Sequence, residues 1–377
     1  MKFSQLFFRN NFFDKQNHNL ELIDLMRKAC FVHQDSSGIY STLGLGLKLQ
    51  QKLESVMRTE MESIGFSEVQ LSILQDTKLW KQTQRLDSYG QELFRLKDRK
   101  GHELCLSATA EELITDIVKN HYQGSKINLN VFQIGNKYRD EIRARAGLVR
   151  AKQFVMKDGY SFYSEESDLI AMYAQIKSSY EKIFSFFDLK YEIISSDNGE
   201  IGGKSSEEFL IESEYGEEIN GKKMLELGHI FQLGQEYSQK MGLVDNIKNN
   251  VYMGCYGIGV SRLFMALCEN HKDEHGFWGD DSFSTFDLII SAIDYHRNDS
   301  VKILSDELYQ KYKLKGVNVL LDDRSDNAGK KMTDAELIGV KKRLVISHQA
   351  MEKSQFEVLT RKTMEKSFIS LGDLINI

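Results

Sequence analysis

Leu49, Leu53, Val56, Met57, Met61 and Ile64 recur three and four residues apart and stop at Gly65. That spacing lays them along one side of a helix, and glycine suits its end. The stretch 66–71 then alternates apolar and polar like a strand. Thr109, followed three residues later by Glu112 and then by Leu113, Ile114, Ile117 and Val118, predicts a capping box opening an amphipathic helix. Residues 129–141 and 151–163 read as the two extended arms of a hairpin. Ser164 starts a long helix with Ile170, Tyr173, Ile176, Tyr180, Ile183 and Phe187 in one stripe. The acidic, glycine-containing stretch 195–221 predicts irregular surface. Segments 224–231 and 251–256 read as strands, the second feeding a helix near Val260.

Periodicity is lost over 270–284, and the pattern beyond it changes. Strand 286–293, helix 301–312 and strands 317–321 and 343–347 predict a small α/β domain with a mostly parallel sheet. The first part predicts an α+β domain, an antiparallel sheet flanked by helices. The expected division is 1–278 and 285–377, and 377 residues are enough for two domains. A 41% hydrophobic and 28% charged composition is that of a soluble globular chain. A net charge of −6 argues against a nonspecific DNA coater, while a local basic patch stays compatible with it. Cys30, Cys105, Cys255 and Cys268 form no Cys-x-x-Cys pair, so neither a zinc site nor a disulfide framework is expected. Arg9 and several asparagines interrupt the apolar N-terminus, which makes a poor signal peptide. The expectation is a cytoplasmic protein with no membrane or DNA partner.

Candidate chemistry concentrates in 136–162. Arg139 and Glu141 stand two apart in an extended pattern, so a guanidinium and a carboxylate share one face. Arg143, Arg145 and Arg150 occupy the intervening loop, and Phe154 and Met156 follow on the second arm. Ring, cation and acceptor together suit a nucleotide; a charged solvent-facing hairpin has the same spacing. Gly257-Ile-Gly259-Val-Ser-Arg262 matches the dinucleotide fingerprint only in part, because Arg262 replaces the third glycine and no acidic ribose partner follows. The two glycines instead allow backbone to approach a nucleotide where a strand meets a helix.

Five segments in order resemble prolyl-tRNA synthetases of the bacterial type, within the class II aminoacyl-tRNA synthetases. Residues 38–61 (GIYSTLGLGLKLQQKLESVMRTEM), 138–160 and 253–262 (MGCYGIGVSR) resemble motifs 1, 2 and 3. Residues 227–238 (LGHIFQLGQEYS) and 320–339 (LLDDRSDNAGKKMTDAELIG) are similar to stretches specific to this synthetase. The resemblance implies a class II catalytic domain followed by an anticodon-binding domain, and an enzyme that activates proline with ATP and charges proline tRNA. The alternatives are a sister enzyme of the threonyl type and a non-catalytic tRNA-binding paralogue.

For ATP the resemblance implies Arg139 on the α-phosphate, Glu141 on the adenine amine, Phe154 beneath the ring, Arg150 and Arg262 on the phosphates, and Glu226 at the ribose. Arg139 and Arg262 are the implied catalytic pair, with Gly257 and Gly259 as the motif 3 glycines. For proline it implies Glu111 on the secondary ammonium, helped by Thr109 and Arg139, with His229 and Phe231 lining the pocket. Magnesium is expected on the phosphate oxygens, with no side-chain metal ligands assigned. Lys330, Lys331, Lys341, Lys342 and Arg343 are expected to form a basic patch for tRNA, and motif 1 a homodimer interface. An editing insertion is absent near 214–222. The chain has no proline, where roughly 19 are expected from average usage. The family writes proline where this chain has Gly44, Ser72, Ser107 or Ala108, Ala144, Gly279, Thr285 and near Lys341, which implies a sequence from which proline was deliberately removed.

Overall fold

A computed structural model describes residues 1–7, 20–122 and 126–376. Arg9, on which the reading of the N-terminus rested, lies outside the described residues. The chain groups into two compact units, Ser36–Tyr40 with Lys52–Ala266, and Met1–Asp35 with Ser41–Gln51 and Leu267–Ile377.

The first unit is built on a seven-stranded sheet. Its strands are β1 (Ser67–Glu68), β2 (Asn128–Tyr138), β3 (Gln153–Tyr163), β4 (Tyr191–Ser196), β5 (Ser205–Ile219), β6 (Lys222–Gly234) and β7 (Tyr252–Gly259). They lie in the order β1-β2-β3-β7-β6-β5-β4. Only the β1–β2 pair is parallel; the others are antiparallel. Its helices are α2 (Thr77–Gln82), α3 (Arg85–Ser88), α4 (Glu111–His121) and α5 (Glu166–Phe186), with the larger parts of α1 (Gly44–Ser63) and α6 (Val260–Asn270). Ile114 and Val118 of α4 pack with Tyr160, Phe162, Phe231 and Met253 on one face of the sheet. On the other face the rings of Tyr180 and Phe184 of α5 meet Phe209 at 5.5 Å. Alternate residues of β3 therefore face different layers, and this decides which of them reach the site.

The predicted hairpin exists as β2–β3, with Asn128 opposite Tyr163 and Tyr138 opposite Gln153. Two expectations fail here. The stretch 195–221 is not irregular surface: most of it is β5, whose Phe209, Leu210 and Ile211 are buried between β4 and β6. Its acidic residues conceal this short apolar run, and a register break between Glu212 and Glu217 spoils the alternation. The strand expected over 66–71 shrinks to the two residues of β1. Ile219 pairs with Lys222 across Asn220 and Gly221, which have φ of 52° and 78°. Asn-Gly is the pair that accepts two positive φ values in succession, so β5 and β6 join through a two-residue turn.

The second unit carries a five-stranded sheet of β8 (Phe286–Ala292), β9 (Val319–Asp322), β10 (Val340–Ile346), β11 (Phe356–Thr360) and β12 (Glu365–Ile369), with α7 (Asp299–Leu314) and α8 (Ala328–Leu337). The order is β9-β8-β10-β11-β12. β8 is parallel to β9 and β10, while β11 and β12 add antiparallel pairs, so the sheet is mixed rather than mostly parallel. Leu288, Ile290, Val301, Leu308, Leu344 and Ile346 form its core.

The expected basic patch is not a continuous surface. Lys331 is fully buried and donates to the carbonyls of Ala292 (2.5 Å) and Asp322 (3.1 Å). Arg343 is buried between Glu336 (2.6 Å) and Glu357 (3.1 Å). Lys330 pairs with Asp326 at 3.2 Å, and Lys341 with Asp281 and Asp287 at 2.7 Å each. Charge runs in the sequence do not reveal which cations the fold itself consumes.

Candidate active site

Phe154, Met156 and Asp158 of β3 and Cys255, Gly257 and Gly259 of β7 are alternate positions, so each trio projects from one side of the sheet. With Glu226, His229 and Phe231 of β6 they line a cavity of about 360 Å³. Thr109 and Glu111 at the start of α4, Arg139, Glu141 and Arg150 of the β2–β3 connection, and Arg262 of α6 complete its wall. Every residue assigned above to ATP or proline therefore borders one space. A Cβ at Gly257 would approach its neighbours no closer than 3.8 Å, so protein packing does not demand glycine there. The room it leaves belongs to the cavity.

Arg139 and Glu141 lie beyond the end of β2, not within a strand as expected. Arg139 N–H donates to the Lys152 carbonyl (2.9 Å) and Glu141 N–H to the Arg139 carbonyl (2.8 Å), which fixes the loop. The Arg139 guanidinium lies over the Phe154 ring, 5.3 Å from its centroid, and its buried Nε has no partner. Burial opposes that charge, but Tyr89, Glu226, Glu111 and Glu92 around it outweigh the penalty and hold it protonated.

Arg262 donates to Glu226 Oε2 (2.8 Å) and to the carbonyls of Val149 (3.1 Å) and Glu226 (3.2 Å). Burial alone would push the Glu226 carboxyl up; His229 and Arg262 beside it bring it down to about 2. Arg150 pairs with Glu217 of β5. Of the three arginines at this end, Arg139 alone keeps a buried nitrogen without a partner.

At the other end the capping box is not formed. The N-cap of α4 is Ala110, and no side chain caps it. The Thr109 hydroxyl instead contacts both Glu111 oxygens at 2.7 Å, while Glu112 turns to Arg85. The local cap loses to a buried network, since two carboxylates in the interior need a cation more than one amide needs an acceptor. The Cys255 thiol donates to Glu111 Oε1 (3.1 Å). His229 stacks on Phe231 at 3.8 Å with an interplanar angle of 22°, forming a flat apolar wall.

Among the described residues, Glu208, Glu226 and His229 bring ligand atoms within 4.8 Å of one another. The two carboxylates offer the oxygen that magnesium takes, and the imidazole does not suit it. No helix among the described residues is long and apolar enough to cross a membrane.

Residues 94–271 match the tRNA synthetase class II core domain (G, H, P, S and T), and residues 289–377 match an anticodon binding domain. The proline–tRNA ligase of Sulfurimonas denitrificans is 32% identical, with 89% of each chain covered. The chain belongs to the proline–tRNA ligase family. The proline–tRNA ligase of Anaplasma phagocytophilum is 31% identical over 93% of both chains. Prolyl-tRNA synthetase of Giardia lamblia, solved with prolyl-adenylate, shares the fold with a TM-score of 0.82 at 18% identity, over 94% of this chain and 75% of that one.

Within this proline–tRNA ligase family member the sequence reading missed Arg85, Tyr89, Glu92, Asp158 and Cys255, all of which border the cavity. The alternation that selects Gly257 and Gly259 also selects Cys255, and Phe154 and Met156 likewise lead to Asp158, so those two were within reach. Arg85, Tyr89 and Glu92 belong to short irregular elements with no periodicity to mark them.

Proposed function

We propose that this chain activates proline with ATP and transfers the prolyl group to the terminal adenosine of proline tRNA. One observation carries the reading: a half-buried Arg139, whose enclosed Nε has no partner, and a buried Glu111 carboxylate border the same cavity. One group suits a carboxylate and a phosphoryl centre gaining charge; the other suits a secondary ammonium. A carboxylate oxygen of proline attacks the α-phosphorus of ATP, and the bond to the leaving pyrophosphate breaks. The ribose hydroxyl of the tRNA terminus then attacks the prolyl carbonyl and releases AMP. Neither step requires a protein nucleophile, so positioning and charge stabilisation supply the rate.

In this reading Arg139 and Arg262 are the catalytic cations. Arg262 exchanges Glu226 for a phosphate when the nucleotide enters. Glu141 accepts from the adenine amine, and Phe154 gives up its contact with Arg139 to the base. Arg150 leaves Glu217 for the phosphates, and His229 and Phe231 form the flat wall against the pyrrolidine ring. Magnesium screens phosphate charge when bound, and Glu208 and Glu226 are the oxygen donors nearest that role. Residues 1–278 carry the chemistry and 285–377 bind the anticodon arm, with Lys330, Lys341 and Lys342 rather than Lys331 or Arg343 facing the nucleic acid. A homodimer through 38–61, a cytoplasmic location and deliberate removal of proline belong to the same reading and rest on the resemblance and the proline count. The threonyl-type and non-catalytic alternatives lack support from the relatives, which are proline–tRNA ligases.

Proline-dependent ATP–pyrophosphate exchange tests the reading, with threonine as the competing amino acid. Arg139→Ala is expected to lower exchange about 10²–10³-fold, the range for loss of one group stabilising developing charge. Exchange driven by threonine, or unaffected by that substitution, rejects it.

A further inference from the structure

Arg85 is the most enclosed cation at the cavity and had no place in the sequence reading. It opens α3, where Gln84 before it has φ 66°. Its guanidinium carbon lies 5.2, 5.7 and 5.7 Å from the ring centroids of Trp80, Tyr89 and Tyr237. Its Nη1 reaches Glu111 Oε2 at 3.1 Å and the two Glu112 oxygens at 3.0 and 3.2 Å. Both carboxylates are completely buried, and the Nε and Nη2 of Arg85 have no partner. Glu111 borders the cavity, whereas Glu112 turns away and takes the Thr83 hydroxyl at 2.8 Å.

Two carboxylates adjacent in sequence and out of water cannot both ionise without a cation between them. We propose that Arg85 is a positioning residue for the amino-acid step: by sharing one nitrogen between Glu112 and Glu111, it keeps Glu111 ionised and aimed into the cavity, where it meets the secondary ammonium of proline. Glu112 is the counterweight. It takes up most of the arginine's charge, so that Glu111 still presents a net negative site to the substrate. Burial pushes Glu112 up, whereas for Glu111 burial is outweighed by Arg85, Thr109 and Cys255, and the carboxyl is held below its usual range. Tyr89, Tyr160, Tyr237, Cys105 and Cys255 also face this group, and burial raises all of them, so they stay neutral near pH 7. Arg139 remains charged, and Asp158 is paired with Lys137 at 2.6 Å. The carboxylate pair is therefore what responds to loss of Arg85.

The inference rests on the cavity being the proline site, and its test separates the two. In ATP–pyrophosphate exchange between pH 6.5 and 8.5, the wild-type kcat/KM for proline is expected to be flat. Arg85→Met raises KM for proline at least tenfold at pH 6.5, with KM for ATP within twofold, because the pair now shares a proton. Raising the pH to 8.5 restores much of the loss, and adding Glu112→Gln to Arg85→Met restores it at pH 6.5. An unchanged KM for proline, or a loss equal at both pH values and not rescued by Glu112→Gln, overturns the inference. Should Arg85→Met fail to fold, Arg85→Lys decides. It keeps the charge on a shorter side chain, so KM rises several-fold while the pH profile stays flat; an unchanged KM or a pH-dependent profile overturns the inference. Absence of proline-dependent exchange in the wild type rejects the proposed function instead.

Discussion

Lys157 gives a measurable link between burial and pH. It sits on β3, one residue from Asp158 and on the opposite face, with no exposure to solvent. Its ammonium donates to the Tyr256 carbonyl (3.1 Å) and to the Tyr180 hydroxyl. Burial lowers it from 10.5 to about 7, against the smaller opposing pull of Asp158 and Cys255. At about 1.4 kcal/mol per decade of proton affinity, the buried charge costs on the order of 5 kcal/mol when fully protonated. Below pH 7 the folded and unfolded chains both hold this proton, and the folded chain bears the whole cost. Between 7 and 10.5 the unfolded chain holds a proton that the folded chain has shed, so stability rises with pH; above 10.5 the cost is gone. Lys157→Met removes the titration and leaves the Tyr180 hydroxyl and the Tyr256 carbonyl without this donor, a pH-independent loss of about 1–3 kcal/mol. The stability of wild type relative to the variant is therefore expected to grow by about 2.5 kcal/mol between pH 7.5 and 9.5. Urea unfolding in a Trp278→Phe background reads this cleanly, because the chain has two tryptophans and Trp80 belongs to the same unit as Lys157. Tyr180 and Tyr256 are raised above this pH range in the fold and are present in both proteins, so their contribution cancels in the difference. Parallel stability curves for the two proteins would refute the reasoning.

Further predictions concern the proline-free sequence and the discrimination against smaller amino acids. Gly44 is the first residue of α1, where an amide has no carbonyl one turn earlier to bond, and a Cβ there meets nothing within 4 Å. Gly44→Pro should stabilise by about 0.4–1 kcal/mol through the unfolded chain. Gly279→Pro should destabilise by more than that, because the Gly279 amide donates to the Val340 carbonyl (3.1 Å) and a Cβ would lie 2.7 Å from the Gly339 carbonyl oxygen. Side-by-side thermal melts decide the sign of each. Alanine, smaller than proline, should be activated at a low level, since an apolar wall cannot strongly reject a smaller side chain. Alanyl-tRNA should then lose its amino acid no faster with the enzyme than without it, as scored by deacylation.

What the sequence revealed was local: the hairpin, the long helices, and the alternation that brings Phe154 and Gly257 to one side. What it hid was set by distant partners. Thr109 and Glu112 have the spacing of a helix cap, yet Arg85, 27 residues away, recruits that glutamate, and Glu111 takes the threonine. Lys331 and Arg343 look like surface cations until the carbonyls and carboxylates that enclose them are known. The acidic side chains of β5 look solvated, and only pairing on both edges shows that the strand lies inside the sheet. In each case the deciding term is the cost of leaving a buried charge or backbone group without a partner, which no window of sequence contains.

The two-residue link at Asn220 and Gly221 makes the junction between β5 and β6 modular. Because Ile219 and Lys222 are already paired neighbours, any domain whose own ends meet could be grafted there or excised without shifting a rung of the ladder. Closing so short a loop costs little entropy, and lengthening it adds cost only slowly. Extra chain entering at this turn would therefore leave the rungs from Glu212 back to Ser205, and with them the positions of His229 and Phe231, in register.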